Sequence, residues 1–354
     1  MKILLLINWK IRYCNNIPEN LQPSDYDCPQ VPFWFFRYFS NRPEVTVIDI
    51  SAPTWIEKLE NKIRFHIYQT IKILPRLNKF DLIIVHGSNS AMLLCALKRL
   101  LHLKTPPIID VDISSFHQAS TSGLIHRLAQ FASHSFDYMI YHASSQSSYF
   151  HDQFPWLDDI SEFIPVGVDS EYWNKKYVRK YSDTGNQYFI SVGYRKRDWN
   201  TLIKAFNKAN VQEELYLVGN PSLKVDNPKI KVLPFLSIDE LMKYISYAKA
   251  SIIPLDNFNY SFGQLTLLQQ MAIGTPIIAD DVPAIHDYIS ESNGVVAYEP
   301  YNCDDLANRI RFVSMLPLHD LSKLGLNNRK ATEELLNEKH MARCFEKICN
   351  SFFE

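Results

Sequence analysis

The segment SFGQLTLLQQMAIGTPIIAD (261–280) has a glycine directly before an apolar run of helical length, followed by Gly-Thr-Pro and a short aliphatic stretch. Because ASIIPL (250–255) precedes it, the pattern predicts strand, loop, helix and strand in succession. In an open parallel sheet, ligands bind at the carboxyl ends of strands, where a helix N-terminus offers unpaired N–H groups. This helix start therefore predicts a phosphate site, at which Gly263 allows close approach of the backbone. Alternatively, Gly263 only relieves a tight turn and Thr266 caps the helix.

The same alternation of short β-branched runs and longer amphipathic runs extends over the whole chain and is typical of α/β domains with parallel sheets. Strands are expected at 2–8, 45–50, 81–87, 106–112 and 137–142, and again at 188–193, 214–219, 229–234, 250–255, 275–280 and 294–299. Helices are expected at 56–78, 89–103, 303–316, 319–337 and 339–353. The polar, turn-rich segment 169–187 is the expected linker.

Length and composition favour an ordinary globular chain of two domains. The 354 residues exceed what one hydrophobic core usually accommodates, and the net charge of −1 gives no reason to expect nucleic acid. The six cysteines lack the spacing of a zinc site or a disulfide framework, which favours a reducing cytoplasm. The start MKILLLINWKIRY is interpreted as a first strand, since it has no signal-peptide cleavage pattern.

Four strings occur in the order expected of one enzyme family. They are IPVGVDSEY (164–172), SVGYRKRDWNTLIKAF (191–206), FGQLTLLQQMAIGTPIIADDVPAIHDYI (262–289) and GVVAYEPYNCDDLANRI (294–310). Together they resemble the GT-B glycosyltransferases, particularly glycosyltransferase family 4. The resemblance implies two Rossmann-like domains whose mostly parallel sheets face a cleft. An acceptor-binding domain would span 1–165, with helix 339–354 packing back onto it, and a donor-binding domain would span 166–338.

The activity implied by this resemblance is transfer of a sugar from a nucleotide diphosphate sugar to a hydroxyl of a glycan or lipid-linked acceptor. A retaining hexosyltransferase of cell-surface polysaccharide or glycoconjugate synthesis is expected, with no metal and no cofactor. A non-catalytic GT-B-fold partner subunit is the alternative. A nucleotide-sugar epimerase would need dense carboxylates in the cleft, and the sequence does not supply them.

Donor-binding residues follow from the same resemblance. Arg195 and Arg197 come directly after the strand at 188–192, where either guanidinium could neutralise the departing diphosphate. In the alternative reading, one of the two is a solvated surface charge. The full expected donor set is Gly193, Arg195, Arg197, Ser261, Phe262, Gly263, Gln264, Leu265, Thr266 and Gln269.

Two positions depart from the family pattern. Gln269 stands where a glutamate normally accepts hydrogen bonds from both ribose hydroxyls, and Ser261 stands where the family has its first glutamate. A glutamine offers one acceptor and one donor group, so it still engages a diol, though less symmetrically. The two departures indicate either a divergent mode of donor binding, which the retained arginines and glycine favour, or the partner-subunit alternative.

Catalytic candidates lie at the carboxyl ends of the expected first-domain strands. Asp112 is placed to polarise an acceptor hydroxyl or to stabilise the positively charged sugar in the transition state, unless it only caps the turn in DISS (112–115). His86 is expected to contact phosphate or acceptor, unless nearby backbone satisfies it. His117 completes the catalytic set, and the further polar candidates are Asn8, Asp110 and His142.

A basic and aromatic composition between 32 and 104 predicts peripheral binding to an anionic membrane surface at its cytoplasmic face. The region combines PFWFFRYF (32–39) with a run of basic residues, namely Lys58, Lys62, Arg64, Lys72, Arg76, Lys79, Lys98, Arg99 and Lys104. The alternative is that these residues belong to amphipathic helices that cover a sheet, with basic outer faces and buried aromatic rings.

Overall fold

The computed structural model describes residues 1–63, 65–113, 121–174, 188–289 and 294–354. The chain divides into two compact units. The first comprises Met1–Pro165, Asn259–Phe262 and Met341–Glu354, and the second comprises Val166–Phe258 and Gly263–His340. The carboxyl-terminal segment therefore belongs to the first unit, together with a four-residue stretch that precedes Gly263.

A six-stranded parallel sheet forms the centre of the first unit, in the order β4-β1-β5-β6-β7-β8. The strands are β1 (Lys2–Ile7), β4 (Glu44–Ile48), β5 (Leu82–His86), β6 (Ile108–Asp112), β7 (Tyr138–Tyr141) and β8 (Ser161–Phe163), while β2 (Arg12–Tyr13) and β3 (Tyr26–Asp27) form a separate small pair. The helices are α1 (Thr54–Ile63), α2 (Ile67–Ile73), α3 (Met92–Leu101), α4 (Leu124–Ser133) and α5 (Gln146–Gln153). Strand β5 is buried along its whole length, as expected for a parallel strand covered on both faces.

The second unit repeats this architecture, with a parallel sheet in the order β11-β10-β9-β12-β13-β14. Its strands are β9 (Tyr188–Val192), β10 (Glu214–Val218), β11 (Ile230–Leu233), β12 (Ala250–Ile253), β13 (Ile277–Asp280) and β14 (Val295–Tyr298). The helices are α6 (Ser170–Asn174), α7 (Trp199–Ala209), α8 (Ile238–Tyr247), α9 (Gln264–Ile273), α10 (Cys303–Met315), α11 (Leu318–Glu334) and α12 (Glu338–Ser351), of which α12 lies mostly in the first unit.

The strand order of each sheet reverses at one place. The chain enters the second sheet at β9, adds β10 and β11 on one side, and then adds β12 on the other. In the first sheet, the corresponding reversal lies between β1 and β5. Such reversals leave a crevice beyond the carboxyl ends of the two strands, where ligands of α/β sheets bind. The crevice at β9 and β12 is therefore the natural place to look for a site in the second unit.

The α/β architecture expected from the sequence is confirmed, with every expected strand present, but the structure differs from the prediction in several details. One helix over 56–78 was expected, whereas α1 and α2 are separate and a 3₁₀ segment, Leu74–Lys79, follows them. Pro75 explains this last change, because it has no N–H to donate within an α-helix. The expected linker at 169–187 begins with helix α6, and its remaining residues, 175–187, lie outside those described. Strand β8 and the short pair β2 and β3 were not foreseen.

The aromatic cluster PFWFFRYF (32–39) is part of the core, so its predicted contribution to a membrane surface is wrong. Trp34, Phe35 and Phe36 are buried in a short 3₁₀ helix. The rings of Phe35 and Phe345 lie 4.9 Å apart, which places α12 against this cluster. In addition, Glu346 of α12 accepts a 2.7 Å hydrogen bond from the backbone N–H of Ser40. The carboxyl-terminal helix therefore covers aromatic surface that would otherwise be exposed.

Candidate functional site

The loop after β9 and the loop after β12 meet at the reversal point of the second sheet. Arg197 and Leu255 form an isolated antiparallel bridge between the two loops. Helix α9 begins just beyond them at Gln264, with Gly263 as its N-cap residue. A basic loop and the positive end of a helix are thereby brought together at the carboxyl edge of the sheet, which is a suitable arrangement for an anion.

The guanidinium of Arg197 is held in place by its own loop and by α9. Its Nε donates to the carbonyl oxygen of Val192 at 3.3 Å, and its Nη1 donates to that of Arg195 at 3.1 Å. Nη2 donates to Oγ1 of Thr266 at 3.3 Å. Burial lowers the pKa of Arg197 to about 10, a change opposed by the nearby charges of Asp280 and Asp256. The side chain is therefore a fixed cation at neutral pH, located at the first turn of α9.

Two glycines are required by this arrangement. Gly193 has a φ of +154°, and a Cβ on it would lie 2.3 Å from Nε of Arg197. Gly263 has a φ of +82°, and a Cβ there would lie 2.8 Å from Cδ1 of Leu255. Any side chain at Gly193 would displace the guanidinium, and one at Gly263 would push against Leu255 in a backbone conformation that favours glycine. The turn thus requires Gly263 independently of any ligand.

Asp280, at the end of β13, is hydrogen-bonded to the loop that follows β12. It is fully buried, and its carboxylate accepts a 2.6 Å hydrogen bond from the backbone N–H of Leu255. Burial raises the pKa of Asp280 well above its ordinary value, while this hydrogen bond and the charge of Arg197 act in the opposite direction. Asp280 therefore fixes Leu255, on which the Gly263 turn rests.

In the first unit, His86 lies at the end of β5 inside an aromatic enclosure. Its ring centroid is 5.2 Å from that of Trp9, 4.8 Å from that of Trp34 and 6.3 Å from that of His142. Neither ring nitrogen has a hydrogen-bond partner among the described residues. Burial lowers the pKa of His86 well below its ordinary value, and the proximity of His142 lowers it further. His86 is therefore a neutral imidazole that can both donate and accept a hydrogen bond.

The carboxyl groups of Asp110 and Asp112 on β6 both lie close to the hydroxyl of Ser88, which follows β5. Oγ of Ser88 donates to Asp110 at 2.5 Å and lies 3.4 Å from Asp112. The second oxygen of Asp112 accepts a 2.9 Å hydrogen bond from the side-chain amide of Gln146 at the start of α5. All four side chains are buried. Asp112 is thereby held by hydrogen bonds from two neighbouring elements at the carboxyl edge of the sheet.

Comparison with known proteins places this geometry in a wider context. Residues 187–314 match the family model described as "Glycosyl transferases group 1". Sucrose-phosphate synthase from Thermosynechococcus elongatus superposes with a TM-score of 0.69 at 16% identity, over 100% of this chain and 99% of that one. The Anabaena protein HepE in complex with UDP superposes with a TM-score of 0.68 at 12% identity, over 99% of this chain and 100% of that one. A sequence comparison with curated proteins finds no match.

The superpositions establish the fold over the full length, and the family match covers most of the second unit. The chain has the GT-B fold, and most of its second unit matches a glycosyltransferase family model. A UDP-forming trehalose-phosphate synthase from Burkholderia xenovorans has the same fold, with a TM-score of 0.66 at 12% identity over 97% of each chain. The resemblance to GT-B enzymes inferred from the four sequence strings is confirmed at the level of the fold.

The donor-binding residues expected from the sequence differ in their surroundings. Gly193, Arg197, Gly263 and Thr266 come together within the second unit. Arg195 is exposed, with its guanidinium 5.8 Å from the centre of the Tyr194 ring, so it fits the surface alternative better than Arg197 does.

The remaining members of the donor set have other surroundings. The buried side chain of Gln264 donates to the carbonyl oxygen of Ala284 at 2.7 Å and so fastens the helix start to the loop after β13. Leu265 is exposed and Gln269 is half-buried on the same helix. Ser261 and Phe262 belong to the first unit, so they lie in a different unit from the rest of the donor set.

The candidate residues for the acceptor side also differ in where the structure places them. Asp112 and His86 lie at the ends of neighbouring strands β6 and β5, whereas His117 lies outside the described residues. His142 shares a 2.6 Å hydrogen bond between Nδ1 and the carbonyl oxygen of Ile164, and burial lowers its pKa to about 4. Because a carbonyl only accepts, Nδ1 carries the proton and Nε2 is the basic nitrogen of a neutral ring.

Sequence reasoning missed Asp280, Ser88 and Gln146, and it also missed an aromatic pair on the second unit. Tyr194 and Phe235 follow the ends of β9 and β11, with ring centroids 5.4 Å apart and both rings exposed. A signal was present for this pair, since each aromatic residue comes just after a strand on the ligand-binding edge. No local signal links Ser88 with Asp110 and Asp112, because that contact depends on the pairing of β5 with β6.

Replacing Asp110 with asparagine tests the charge state of this cluster. Burial raises the pKa of Asp110 well above its ordinary value of 3.8, and the charge of Asp112 raises it further. The folded protein then retains a proton that the unfolded chain releases, so this contribution to stability is full at low pH and is lost as pH rises. We expect Asp110→Asn to gain about 1.4 kcal/mol of stability over the wild type per pH unit, within the range where only the unfolded carboxyl is ionised. Urea unfolding from pH 4 upward measures this difference, and a difference independent of pH would contradict it.

Proposed function

We propose that this glycosyltransferase moves a sugar from a nucleotide diphosphate sugar to a hydroxyl acceptor, with the diphosphate held at the first turn of α9. The observation that carries the proposal is the Arg197 guanidinium, which is fixed against Thr266 where the helix begins. HepE structures are described in complex with UDP and with UDP-glucose, which supports the same class of donor for this chain.

Sugar transfer is favoured by a cation next to the departing diphosphate, where negative charge increases. As the bond between the sugar and the diphosphate breaks, the leaving group gains charge, and a preorganised cation stabilises that state more than the ground state. The hydrogen bonds from Arg197 to Val192 and Arg195 orient the guanidinium before the donor arrives. The positive end of the helix dipole at the start of α9 adds to this charge, and its N-cap Gly263 has no side chain that caps the helix.

The first unit supplies the groups for the acceptor. Asp112 stabilises positive charge on the sugar or accepts a hydrogen bond from the acceptor hydroxyl, with Ser88 and Gln146 as positioning residues. His86, a neutral imidazole, is suited to bind a hydroxyl or a phosphate oxygen through its ring nitrogens. The transferred group is a hexose, the anomeric configuration is retained, and the acceptor is a glycan or lipid-linked hydroxyl used in cell-surface polysaccharide or glycoconjugate synthesis.

The proposed reaction needs neither metal nor cofactor, because Arg197 and α9 take over neutralisation of the diphosphate. Within the described residues, no group of three His, Cys, Asp or Glu side chains could hold a metal ion. The proposed location is the cytoplasm, at the inner face of the membrane. None of the helices described is long and apolar enough to cross a bilayer.

A panel of nucleotide sugars tests this function through two measurements on the same samples. A donor at 100 times its dissociation constant adds about 2.7 kcal/mol of stability, which a thermal shift detects. Release of nucleoside diphosphate over time then reports turnover. Stabilisation together with release supports the transferase. Stabilisation without release by any acceptor class, or a flat response to the whole panel, supports a non-catalytic partner subunit instead, which the two missing family glutamates at Ser261 and Gln269 favour.

Gln269 gives a more local prediction. If its amide meets the ribose of the donor, Gln269→Ala removes one neutral hydrogen bond and weakens donor binding by about 1 kcal/mol, a roughly fivefold rise in Kd. Isothermal titration with the donor measures this change. Gln212→Ala, at an exposed position before β10, is the matched control and should leave Kd unaltered. Equal Kd values for the two variants would mean that Gln269 does not contact the ribose.

A further inference from the structure

Three neighbouring helical segments pack on one side of the first sheet, where α5 packs as well. Core residues from each pack together with strand side chains, among them Ile73 of α2, Leu94 of α3 and Ala129 of α4. The guanidinium of Arg99 on α3 lies 5.0 Å from the centre of the Phe131 ring on α4, which joins the outer surfaces of these two helices. The three segments therefore present one outer surface, here called the basic helix face, formed by residues 65–80, 92–104 and 121–135.

The charge on this face differs from that of the whole protein. The chain carries 37 Lys and Arg against 38 Asp and Glu. No Asp or Glu occurs in any of the three segments, whereas the basic residues there are Lys72, Arg76, Lys79, Lys98, Arg99, Lys104 and Arg127. Lys98 is paired with Asp137 at 3.0 Å, but Arg99 and Arg127 form no ion pair within the described part of the chain. The face is therefore a concentration of positive charge on a nearly neutral molecule.

The same face also exposes large apolar side chains between the cations. The exposed fractions reach 85% for Leu124 and 67% for Leu100. The other exposed apolar residues of the face are Ile71, Leu74, Leu101, Ile125 and Phe131. These side chains lie outside the stripe of residues that their helices bury against the sheet. Exposed apolar groups among basic residues match a surface that offers both negative charge and hydrocarbon.

We propose that the basic helix face docks on an anionic phospholipid bilayer, with Leu124 and Ile125 entering the headgroup region. Charge complementarity selects this occupant, since a lipid surface rich in negative headgroups matches cations spread over three helices with no acidic residue among them. Leu124 and Ile125 form the exposed start of α4, the helix that follows the strand carrying Asp112. The docking surface goes beyond sugar transfer, and its binding to lipid is measured without donor or acceptor.

Cosedimentation of the full-length protein with vesicles tests the docking surface. We expect binding to vesicles of phosphatidylcholine mixed with phosphatidylglycerol, weakened by salt, and little binding to phosphatidylcholine alone. Arg99→Gln combined with Arg127→Gln should lower the partition coefficient about 25-fold, about fivefold for each cation. Leu124→Ser combined with Ile125→Ser should lower it about tenfold or more. Lys323→Gln and Leu326→Ser, at exposed positions on α11 of the second unit, are matched controls that should bind like the wild type.

Three results would overturn the docking surface. Binding that does not depend on phosphatidylglycerol would remove the electrostatic basis, and face variants that bind as well as the controls would place the contact elsewhere. Analytical ultracentrifugation without lipid provides the third, because a dimer that Leu124→Ser disperses would identify a second copy of the chain as the occupant. None of these outcomes depends on whether sugar transfer occurs, so failure of the transferase assay and failure of docking remain distinguishable.

Discussion

Arg197→Ala should lose sugar transfer by on the order of 10²–10³-fold in kcat/KM, equivalent to about 3–4 kcal/mol of transition-state stabilisation. The reason is that the guanidinium, already oriented by Val192 and Thr266, lies at the proposed diphosphate site, where the charge of the leaving group increases. Steady-state kinetics with the donor found in the nucleotide-sugar panel measures the loss. Circular dichroism checks that the variant is folded, since its carbonyl partners lose a donor.

Arg195→Ala is the matched control for this experiment. Arg195 lies two residues away with its side chain exposed over the Tyr194 ring, so its removal should cost much less. Arg197→Lys keeps the charge but cannot reproduce the planar fork of donors, and it should fall between wild type and Arg197→Ala. A folded Arg197→Ala enzyme with unaltered kinetics would show that the diphosphate is bound elsewhere. A greater loss in Arg195→Ala would exchange the roles of the two arginines.

Asp112→Asn should lower kcat on the order of 10²–10⁴-fold, with a smaller effect on donor affinity. Asparagine has nearly the same shape and still accepts a hydrogen bond from Gln146, so the change removes mainly the negative charge. Kinetics at saturating donor separates the change in kcat from the change in KM. The same substitution at a neighbouring carboxyl, Asp110→Asn, is the control, because burial raises the pKa of Asp110 and so disfavours a charge whose removal would affect transfer.

Comparison of Asp112→Asn with Asp110→Asn distinguishes a catalytic role of Asp112 from a structural role of the buried cluster. Loss of turnover in Asp112→Asn alone supports a charged Asp112 acting on the substrate. Equal losses in both variants would mean that the buried cluster with Ser88 acts as a structural unit. An Asp112→Asn enzyme as active as the wild type would remove Asp112 from the mechanism.

Local patterns predicted much of the second unit. The apolar run after Gly263 and the Gly-Thr-Pro that ends it gave helix and strand boundaries close to those of α9 and β13. Each boundary depends on signals within a few residues, namely a left-handed glycine at each end of the helix and a proline before the strand. Donor-loop residues were expected for the same reason, since glycine and arginine after a strand form a local pattern.

Contacts between distant segments could not be predicted in this way. The burial of PFWFFRYF depends on Phe345, more than 300 residues later in the chain, and no pattern near residue 35 signals that partner. The positioning of Leu255 by Asp280 likewise requires the order of β12 and β13 in the sheet. For this reason, the aromatic cluster PFWFFRYF (32–39), which was expected at a membrane surface, is part of the core. The basic helix face, in contrast, exposes cations and apolar side chains.

A crystal structure of the protein with a bound nucleoside diphosphate tests the central claim most directly. The account predicts that the diphosphate lies within hydrogen-bonding distance of the Arg197 guanidinium and of the backbone N–H groups at the start of α9, between Gly263 and Thr266. The base is then expected nearer the exposed Tyr194 and Phe235 rings than the diphosphate is. A diphosphate bound more than one helical turn away from residues 263–266 would contradict the account.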